Sequence, residues 1–597
     1  MNLLTIDFET YYDKDYTLSK LTTEEYIRHP SFRAHGMALL PQNGTASWVP
    51  HDEIASALAS IDWGKTAVIC HHAQFDGLIL SHHYGVKPAA FICTMSMARV
   101  PIPGCAPPVS VSLAKLVEHY GIGEKGDALP LSKGMRVLTP QVEAKIATYC
   151  CKDATLTWGL FKLLSIGFPP DELRLIDLTV RMFTDPVLRV DAGRLENYLT
   201  ELAERKEMML SDAGVTPDDL LSADKFVSVL ESLNVAVEMK PGTNGLIPAI
   251  AKTDDFMKSL LEQEDDRVQA VAAARLGVKS TINETRTKRM IGIAERGPLP
   301  VYLNYWGAHT GRWSGGDKMN LQNLPHKSRS PLRESILAPE GHVLVVCDSA
   351  QIEARTLAWL ARHTQLVEDF AAGVDIYTKM GEMVGASRPV GKVLILGLGY
   401  GMGAAKLQDT MARGPLGMPP QTVTLETCTQ WVDTYRRVNA PIKALWREID
   451  EVLRCMVGGM SHVFDPELRR FVPTSYGDYA PEIEFPDGTC LTYPELAWAD
   501  DRMLYRSGNV RHSIYGGKAV ENIVQKMARG IIAAQMLTIA ERYRVVTMTH
   551  DEIVAAVPES EAESALSFML EAMSAAPSWA AGLPLAAEGG YAKEYSK

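Results

Sequence analysis

The sequence predicts a multidomain protein in which α/β segments alternate with helical segments. Its 597 residues exceed the usual content of one domain, while 46% hydrophobic and 22% charged residues are ordinary values for a globular protein. Apolar, strand-like runs occur near residues 3–10, 65–72, 341–347 and 544–558, and long helical patterns lie between them. The predicted order is therefore α/β, α, α/β, α and then β.

The first α/β segment extends from residue 1 to about 165. LLTIDFET and KTAVICHH are typical of buried strands, and QVEAKIATYCCKDATLTWGLFKLL predicts a helix that ends before the break at GFPPDE. Residues from about 171 to 290 predict mainly helices, among them one over AGRLENYLTELAERKEMML.

A second α/β segment begins near residue 300. GHVLVVCDSAQIEARTLAWLA predicts a strand, a turn and a helix. A mostly helical stretch from about 373 to 460 follows, and RVVTMTHDEIVAAVP predicts two strands around a tight polar turn.

Composition favours a reducing cytoplasmic setting. The nine cysteines form no C-x-x-C pattern, no apolar run reaches the roughly 18 residues that span a bilayer, and no signal peptide is evident. The net charge of −12 counts against non-specific nucleic-acid binding. However, residues 275–333 hold eleven basic and three acidic side chains, a run that fits a solvated face and a local anionic partner equally well.

Four acids in the first segment predict a metal site. Asp7 and Glu9 stand at i and i+2 on a strand, so both side chains point to one face, and Asp76 and Asp153 can join them. Such a cluster requires cations, and a pair of Mg²⁺ ions, or Mn²⁺ as an alternative, suits oxygen ligands and phosphodiester hydrolysis. Tyr149 lies one helical turn from Asp153 and could orient the attacking water.

Two further acids predict a second site. Asp348 follows the apolar run HVLVV, and Asp551 lies in the turn of MTHDEIV. Both stand at strand ends, where a side chain is held rigidly and still reaches solvent.

The stretch RPVGKVLILGLGYGMG, residues 388–403, predicts a helix. Its spacing fits neither a P-loop nor a dinucleotide fingerprint. Four side chains recur at intervals of four and share one helical face, and Ser387 is a candidate N-cap; the four are Arg388, Lys392, Leu396 and Tyr400. Four alternating glycines, Gly397, Gly399, Gly401 and Gly403, are expected to let the helix end pack closely and move.

Several motifs, in order, resemble family A DNA polymerases of the bacteriophage type. DSAQIEAR resembles motif A, residues 388–403 resemble motif B of the fingers, and THDE resembles motif C. TGRWSGG…NLQNLP resembles the template–primer segment, VKSTINETRTKR the thumb-to-palm junction, and YGGKAVENIVQKMARGII the helix before motif C.

This resemblance implies a right-hand polymerase, with thumb, palm and fingers, and assigns roles to individual residues of the matching motifs. Asp348 and Asp551 would hold two Mg²⁺ ions, and Lys392 would assist the pyrophosphate leaving group. The implied nucleotide-binding residues are Arg388, Lys392, Leu396, Tyr400, Glu353 and Gln351, with Glu353 as the gate against ribose. The implied DNA-binding residues are Arg312, Asn323, Gln525, His550 and Arg286, helped by the basic stretch. Glu552 would lie near the metals without being a main ligand, and Leu396 departs from the usual aromatic residue.

The acids of the first segment resemble the motifs of DEDDy-type 3′–5′ proofreading exonucleases, which have an RNase H-like fold. The usual asparagine four residues before Asp76 is His72 here, so we expect activity in an altered form. No 5′-nuclease domain is expected. The implied divisions are an exonuclease domain (1–165), linker (166–190), thumb (191–299), first palm part (300–372), fingers with an insertion (373–510) and second palm part (511–597).

The expected partners are primer–template DNA and dNTPs, with no membrane, a monomeric state and unidentified replisome proteins. If the protein is viral, it would act in the host cytoplasm. Three alternatives stay open: a single-subunit RNA polymerase, a 3′–5′ exonuclease with a non-catalytic DNA-binding half, and a structural replication factor. Glu353 and the two acid sets argue against them.

Overall fold

The computed structural model describes residues 1–102, 110–242, 245–252, 254–263, 265–279, 281–324, 330–415, 418–460, 473–474, 481–508 and 510–596. No helix within those ranges is both long and apolar enough to cross a membrane.

The N-terminal module (residues 1–165) is a five-stranded sheet with helices around it. Its elements are β1 (Asn2–Thr10), α1 (Thr23–Arg28), β2 (Ala34–Pro41), β3 (Ser47–Pro50), α2 (Ile54–Ala59), β4 (Thr66–Cys70), α3 (Ala73–Tyr84), β5 (Ala90–Cys93), α4 (Thr94–Met97), α5 (Leu113–His119) and α6 (Pro140–Leu164). The sheet order is β3-β2-β1-β4-β5; β1 is antiparallel to β2 and parallel to β4. The two predicted strands and the long helix are confirmed.

Helix α6 carries part of the acidic site because its sequence starts and orients it well. Thr139 accepts a hydrogen bond from the amide of Val142, and Pro140 occupies the first turn, where its missing N–H costs nothing. Its buried stripe includes Tyr149 and Asp153, which therefore face the sheet.

The segment predicted as a linker, residues 166–190, contains a buried helix. It forms α7 (Pro170–Thr184) and β6 (Arg189–Val190). Inside α7, Glu172 makes a two-point ion pair with the guanidinium of Arg529, and both side chains are almost completely buried. A packed helix therefore joins the N-terminal module to the rest of the chain.

Residues 191–299 are mainly helical, as predicted, with one short hairpin. The elements are α8 (Ala192–Ala213), α9 (Pro217–Leu221), α10 (Ala223–Ser232), β7 (Met239–Gly242), β8 (Gly245–Pro248), α11 (Asp255–Ser259), α12 (Asp266–Lys279) and α13 (Ile282–Arg296). A separate hydrophobic core that includes Leu220, Phe226 and Val271 holds most of them together.

A four-stranded antiparallel sheet is the centre of the C-terminal half. The first elements of this half are β9 (Leu303–Asn304), β10 (Ser314–Gly315), β11 (Ile336–Leu337), β12 (His342–Ser349), α14 (Ile352–Leu360) and α15 (Thr364–Ala371), of which β12 belongs to the sheet. The helical stretch comprises α16 (Ile376–Met383), α17 (Arg388–Leu398), α18 (Ala404–Ala412), α19 (Leu425–Val438) and α20 (Ala440–Val457).

Short strands and two long elements complete the chain. They are β13 (Pro473–Thr474), β14 (Glu482–Glu484), β15 (Cys490–Thr492), β16 (Ala497–Ala499), β17 (Arg502–Ser507), β18 (Val510–Ile514), α21 (Gly516–Ala540), β19 (Arg544–Thr549), β20 (Glu552–Pro558), α22 (Ala562–Ser574) and β21 (Ala587–Ala592). The central sheet has the order β19-β20-β12-β21, so the predicted strand pair is confirmed and β21 is an additional edge strand.

Candidate active sites

The four predicted acids of the N-terminal module line one cleft of about 430 Å³. Asp7 and Glu9 come from β1, while α3 supplies Asp76 and α6 supplies Asp153. The backbone amide of Phe8 donates to Oδ1 of Asp76 at 3.1 Å, which ties α3 to the strand between the first two acids. Tyr149 lines the same cleft.

Burial and mutual repulsion disfavour ionisation of these acids. Burial, with the nearby Asp153 carboxylate, raises the pKa of Asp7 to about 7. Burial is also the main reason that the pKa values of Glu9, Asp76 and Asp153 are raised. A site that concentrates carboxylates in this way is stabilised by cations among them.

The residues present fit divalent cations. Within the described ranges, Oδ1 of Asp153 is buried and has no hydrogen-bond partner. Ligand atoms of Asp7, Glu9 and Cys150 lie within 4.8 Å of one another. The thiol of Cys150 donates to Oδ2 of Asp7 at 3.2 Å, and burial raises the pKa of that thiol, so it is a hydrogen-bond donor at neutral pH.

Sequence reasoning missed Lys125. Its ammonium lies 2.7 Å from Oδ2 of Asp153 and 5.4 Å from the centre of the Tyr149 ring. The site therefore contains one positive charge of its own, supplied by a segment that has no recognisable motif.

His72 lines the cleft and contacts the C-terminal half. Its Nε2 is hydrogen-bonded to the hydroxyl of Tyr302 at 2.8 Å. Burial, helped by the charge of Arg99, lowers the pKa of His72 to about 4, so the ring is neutral at physiological pH. Two other histidines of this module, His71 and His83, bond to the backbone carbonyls of Val111 and Ile27, which gives both a structural role.

The second acid pair lies at the end of the central sheet. Asp348 is near the end of β12 opposite Glu552, and the amide of Ser349 donates to the carbonyl of Asp551 at 3.0 Å. Burial, together with the Asp348 carboxylate, raises the pKa of Asp551 to about 6. Two neighbouring carboxylates at the end of a sheet form a suitable donor set for a divalent cation.

Glu552 has other partners, in line with its predicted minor role. One nitrogen of Arg333 donates to both of its carboxylate oxygens at 2.8 Å, and the hydroxyl of Tyr595 also donates to it. The Arg333 guanidinium lies 4.0 Å from the centre of the Tyr595 ring. This buried network holds the turn that carries Asp551.

Glu353, in the segment that resembles motif A, contacts one residue of the template–primer-like segment and one of the motif B-like segment. Its carboxylate pairs with the guanidinium of Arg312 and accepts a hydrogen bond from the hydroxyl of Tyr400 at 3.4 Å. Burial, followed by the charge of Arg312, lowers the pKa of His550. The predicted gate residue is thus fixed from two sides.

Helix α17 is confirmed but is shorter than predicted. It ends at Leu398, so Tyr400 lies beyond the helix and only Arg388, Lys392 and Leu396 share its face. Ser387 occupies the N-cap position without making a side-chain cap hydrogen bond. The prediction of a capping serine and of Tyr400 on the same helical face is therefore wrong.

Within residues 388–403 the closest approach is at Gly391, and of the four predicted glycines Gly399 also packs closely, since a Cβ there would lie 2.9 Å from Cδ2 of Leu357. A Cβ at Gly391 would lie 2.0 Å from the carbonyl oxygen of Tyr377, so only glycine lets α17 pack on α16 there. Gly401 has φ +86°, which glycine adopts readily and which turns the chain after the end of the helix. A Cβ at Gly403 would meet open space, so close packing does not require that glycine.

The two basic side chains of α17, Arg388 and Lys392, are held loosely. Nε of Arg388 lies 2.5 Å from Oδ2 of Asp375, and this pair is largely exposed. The ammonium of Lys392 lies 5.9 Å from the centre of the Tyr377 ring. An exposed ion pair contributes little, so a triphosphate can replace Asp375 at low cost.

The basic stretch does not form one DNA-facing surface. Arg275 is 2% exposed, donates to the carbonyl of Ser222 at 2.9 Å and stacks on Phe226, so its predicted DNA contact is wrong. Among the described residues, four others form ion pairs within the chain: Arg289 with Glu25, Arg296 with Glu24, Arg312 with Glu353, and Arg333 with Glu552. Lys327 and Arg329 lie outside the described residues.

Several of the remaining predicted DNA-binding residues form hydrogen bonds within the chain, and their DNA contacts stay predictions. Arg286 donates to the carbonyl of Asn323 at 3.0 Å, and the hydroxyl of Thr310 bonds to Gln525 at 3.4 Å. Gln351 precedes α14 with φ +57°, a conformation that turns the chain sharply after Asp348.

Comparison with known proteins identifies a central region of the chain. Residues 196–465 match the family model described as DNA polymerase family A. The chain contains a family A DNA polymerase domain. A DNA polymerase of Bacillus phage SP02 is 25% identical, and the alignment covers all of both chains.

The alignments with bacterial relatives cover a smaller part of this chain. DNA polymerase I of Pseudomonas aeruginosa is 25% identical over 78% of this chain and 49% of its own length. A thermostable DNA polymerase I of Thermus thermophilus is 28% identical over 50% of this chain and 32% of its own length. Thus the chain spans all of the phage relative but only a part of the bacterial enzymes.

A solved structure shares the fold. The POL domain of Pol1 from M. smegmatis, in complex with DNA primer-template and dNTP, superposes with a TM-score of 0.68 at 18% identity. The match covers 99% of this chain and 95% of that one. The polymerase fold expected from the motifs is therefore confirmed.

Proposed function

We propose that this family A DNA polymerase has two separate active sites. One, built on Asp348 and Asp551, extends a primer with dNTPs. The other, built on Asp7, Glu9 and their neighbours, removes nucleotides from the primer 3′ end. The observation that supports the pair of sites most strongly is that each acid set converges in space although its members are far apart in sequence.

The chain's own residues can perform the positioning that extension requires. Arg388 and Lys392, on one face of α17, would bind the triphosphate through loosely held charges. Glu353, fixed by Arg312 and Tyr400, would exclude a ribose 2′-hydroxyl. Lys392 could also protonate the departing pyrophosphate.

Divalent cations complete both sites in this proposal. Family A polymerases use divalent metal ions, and Mg²⁺ suits the all-oxygen donor sets, with Mn²⁺ as an alternative. Bound between carboxylates, such ions lower the pKa of an attacking hydroxyl or water and stabilise the leaving oxygen. Asp348 and Asp551 would hold them at one site; Asp7, Glu9, Asp76 and Asp153 would hold them at the other.

In the exonuclease site, the chain positions water and the strand end. Tyr149 lies beside Asp153 and would orient the attacking water. Lys125 would neutralise part of the charge of the phosphodiester. The whole-length similarity to a phage polymerase supports a role in phage genome replication, with removal of misincorporated nucleotides.

A single assay tests the proposal against its rivals. A 5′-labelled primer on a template is incubated with Mg²⁺ and dNTPs, with rNTPs, or without nucleotides. We expect extension with dNTPs and shortening of the primer without nucleotides. Extension with rNTPs as efficient as with dNTPs would support an RNA polymerase, and shortening alone would support a nuclease with a non-catalytic polymerase-like half.

A further inference from the structure

A short segment of the polymerase half contacts the wall of the acidic cleft at two places. We call residues 302–318 the brace. It includes β9 and β10, which pair with each other, and it contains Arg312, the partner of the gate residue. The brace therefore connects the two candidate active sites physically.

The first contact is between Tyr302 and His72. The tyrosine hydroxyl lies 2.8 Å from Nε2 of a histidine that lines the cleft. The Tyr302 ring is itself fixed by its neighbours. It packs edge-on against the ring of Phe183, with the ring centres 5.0 Å apart. It also lies so close to Gly316 that a Cβ on that glycine would be 2.7 Å from the tyrosine ring. The orientation of the His72 ring is thus set by the polymerase half.

The second contact is between Lys318 and the loop that precedes α1. Its ammonium donates to the carbonyls of Leu18, Ser19 and Leu21 at 3.3, 3.0 and 3.0 Å. An ammonium has three donors, so these three carbonyls satisfy it fully. Leu18 is an exposed apolar side chain that lines the cleft.

The backbone of the brace has an unusual conformation beside this contact. Asp317 and Lys318 are consecutive non-glycine residues with φ of +52° and +60°. A non-glycine residue in that region is strained and persists only where its surroundings hold it. Oδ1 of Asp317 accepts hydrogen bonds from the amide and hydroxyl of Thr23 at 2.7 and 3.0 Å, which holds α1 against the brace.

We propose that Tyr302 and Lys318 are positioning residues of the exonuclease site. Tyr302 orients His72, and Lys318 holds the loop at Leu18, so that both face the single-stranded 3′ end of the primer. The inference rests on the proposed exonuclease function. If the inference is right, primer degradation depends on a segment of the polymerase half. Neither Tyr302 nor Lys318 belongs to the acid cluster itself.

The test uses the full-length chain and single-residue variants. Tyr302→Phe keeps the ring and removes the hydroxyl; Lys318→Met keeps the stem and removes the charge. Lys14→Met is the matched control, because Lys14 is an exposed lysine near the same loop and its nearest carboxylate, on Asp15, is 3.9 Å away. Degradation of a 5′-labelled single-stranded oligonucleotide gives kcat and KM, and primer extension is measured in parallel.

We expect the ratio of exonuclease kcat/KM to extension kcat/KM to fall roughly tenfold in both brace variants, because misplacing a positioned group slows a reaction. The control should keep the ratio of the unmodified chain. In a His72→Ala background, Tyr302→Phe should cause no further loss, since the tyrosine acts through that ring. A general structural defect would instead give additive losses.

The outcomes separate the inference from the function on which it rests. If the unmodified chain degrades the oligonucleotide and both brace variants keep its ratio, the positioning role is wrong and the exonuclease assignment stands. Additive losses in the double variant would likewise overturn the action of Tyr302 through His72. If the unmodified chain shows no degradation, the exonuclease function itself fails, and the inference fails with it.

Discussion

The gate residue gives the prediction that the structure defines best. Glu353→Ala removes a carboxylate that pairs with Arg312 and accepts from Tyr400, and about a quarter of the pair is exposed. A hydrogen bond to a charged group contributes about 1.5–3 kcal/mol, and 1.4 kcal/mol corresponds to a factor of ten. We therefore expect kcat/KM for a dNTP to fall roughly 10- to 100-fold.

The same change removes the side chain that would collide with a ribose 2′-hydroxyl. The kcat/KM for the matching rNTP should consequently fall less or rise, so discrimination against ribose should drop about tenfold or more. Single-nucleotide incorporation with dCTP and CTP on one primer–template measures both values. Glu353→Gln is the control, because it keeps the volume and loses the charge; it should retain discrimination. Unchanged discrimination in Glu353→Ala would refute the gate role.

Three other changes have defined outcomes. Lys125→Met removes the ammonium beside Asp153, so divalent cations should bind the acidic cleft about tenfold more tightly by calorimetry; unchanged affinity would contradict this competition. Glu172→Gln leaves Arg529 buried without its counter-charge and should destabilise the fold by about 3–5 kcal/mol, seen as a lower Tm, whereas the exposed Asp171→Asn should have almost no effect. Leu396→Phe should change the use of dideoxynucleotides relative to dNTPs in extension assays; an unchanged ratio would mean that the leucine is a neutral substitute.

The periodic parts of the fold were predictable from sequence. β1, α6 and the β12–β19–β20 strands have strong apolar patterns, and the acids at their ends converge as alternation and strand pairing require. The end of α17 was misjudged because spacing by four continues to Tyr400, whereas the backbone at Gly401 already turns with positive φ.

Contacts that depend on tertiary packing were not predictable from one sequence. Lys125 reaches Asp153 from a segment without periodicity, and His72 meets Tyr302 across 230 positions. Counting charges in the basic stretch could not separate a buried guanidinium such as Arg275 from an exposed one, because composition does not report burial. Only the folded arrangement assigns these side chains.

The two proposed active sites perform their chemistry with separate sets of acids. The most direct measurement compares Asp348→Ala with the double variant Asp7→Ala and Glu9→Ala on one labelled primer–template. We expect the first to lose extension and keep degradation, and the second to keep extension and lose degradation. Normal extension by Asp348→Ala, or persistent 3′–5′ trimming by the double variant, would contradict the account.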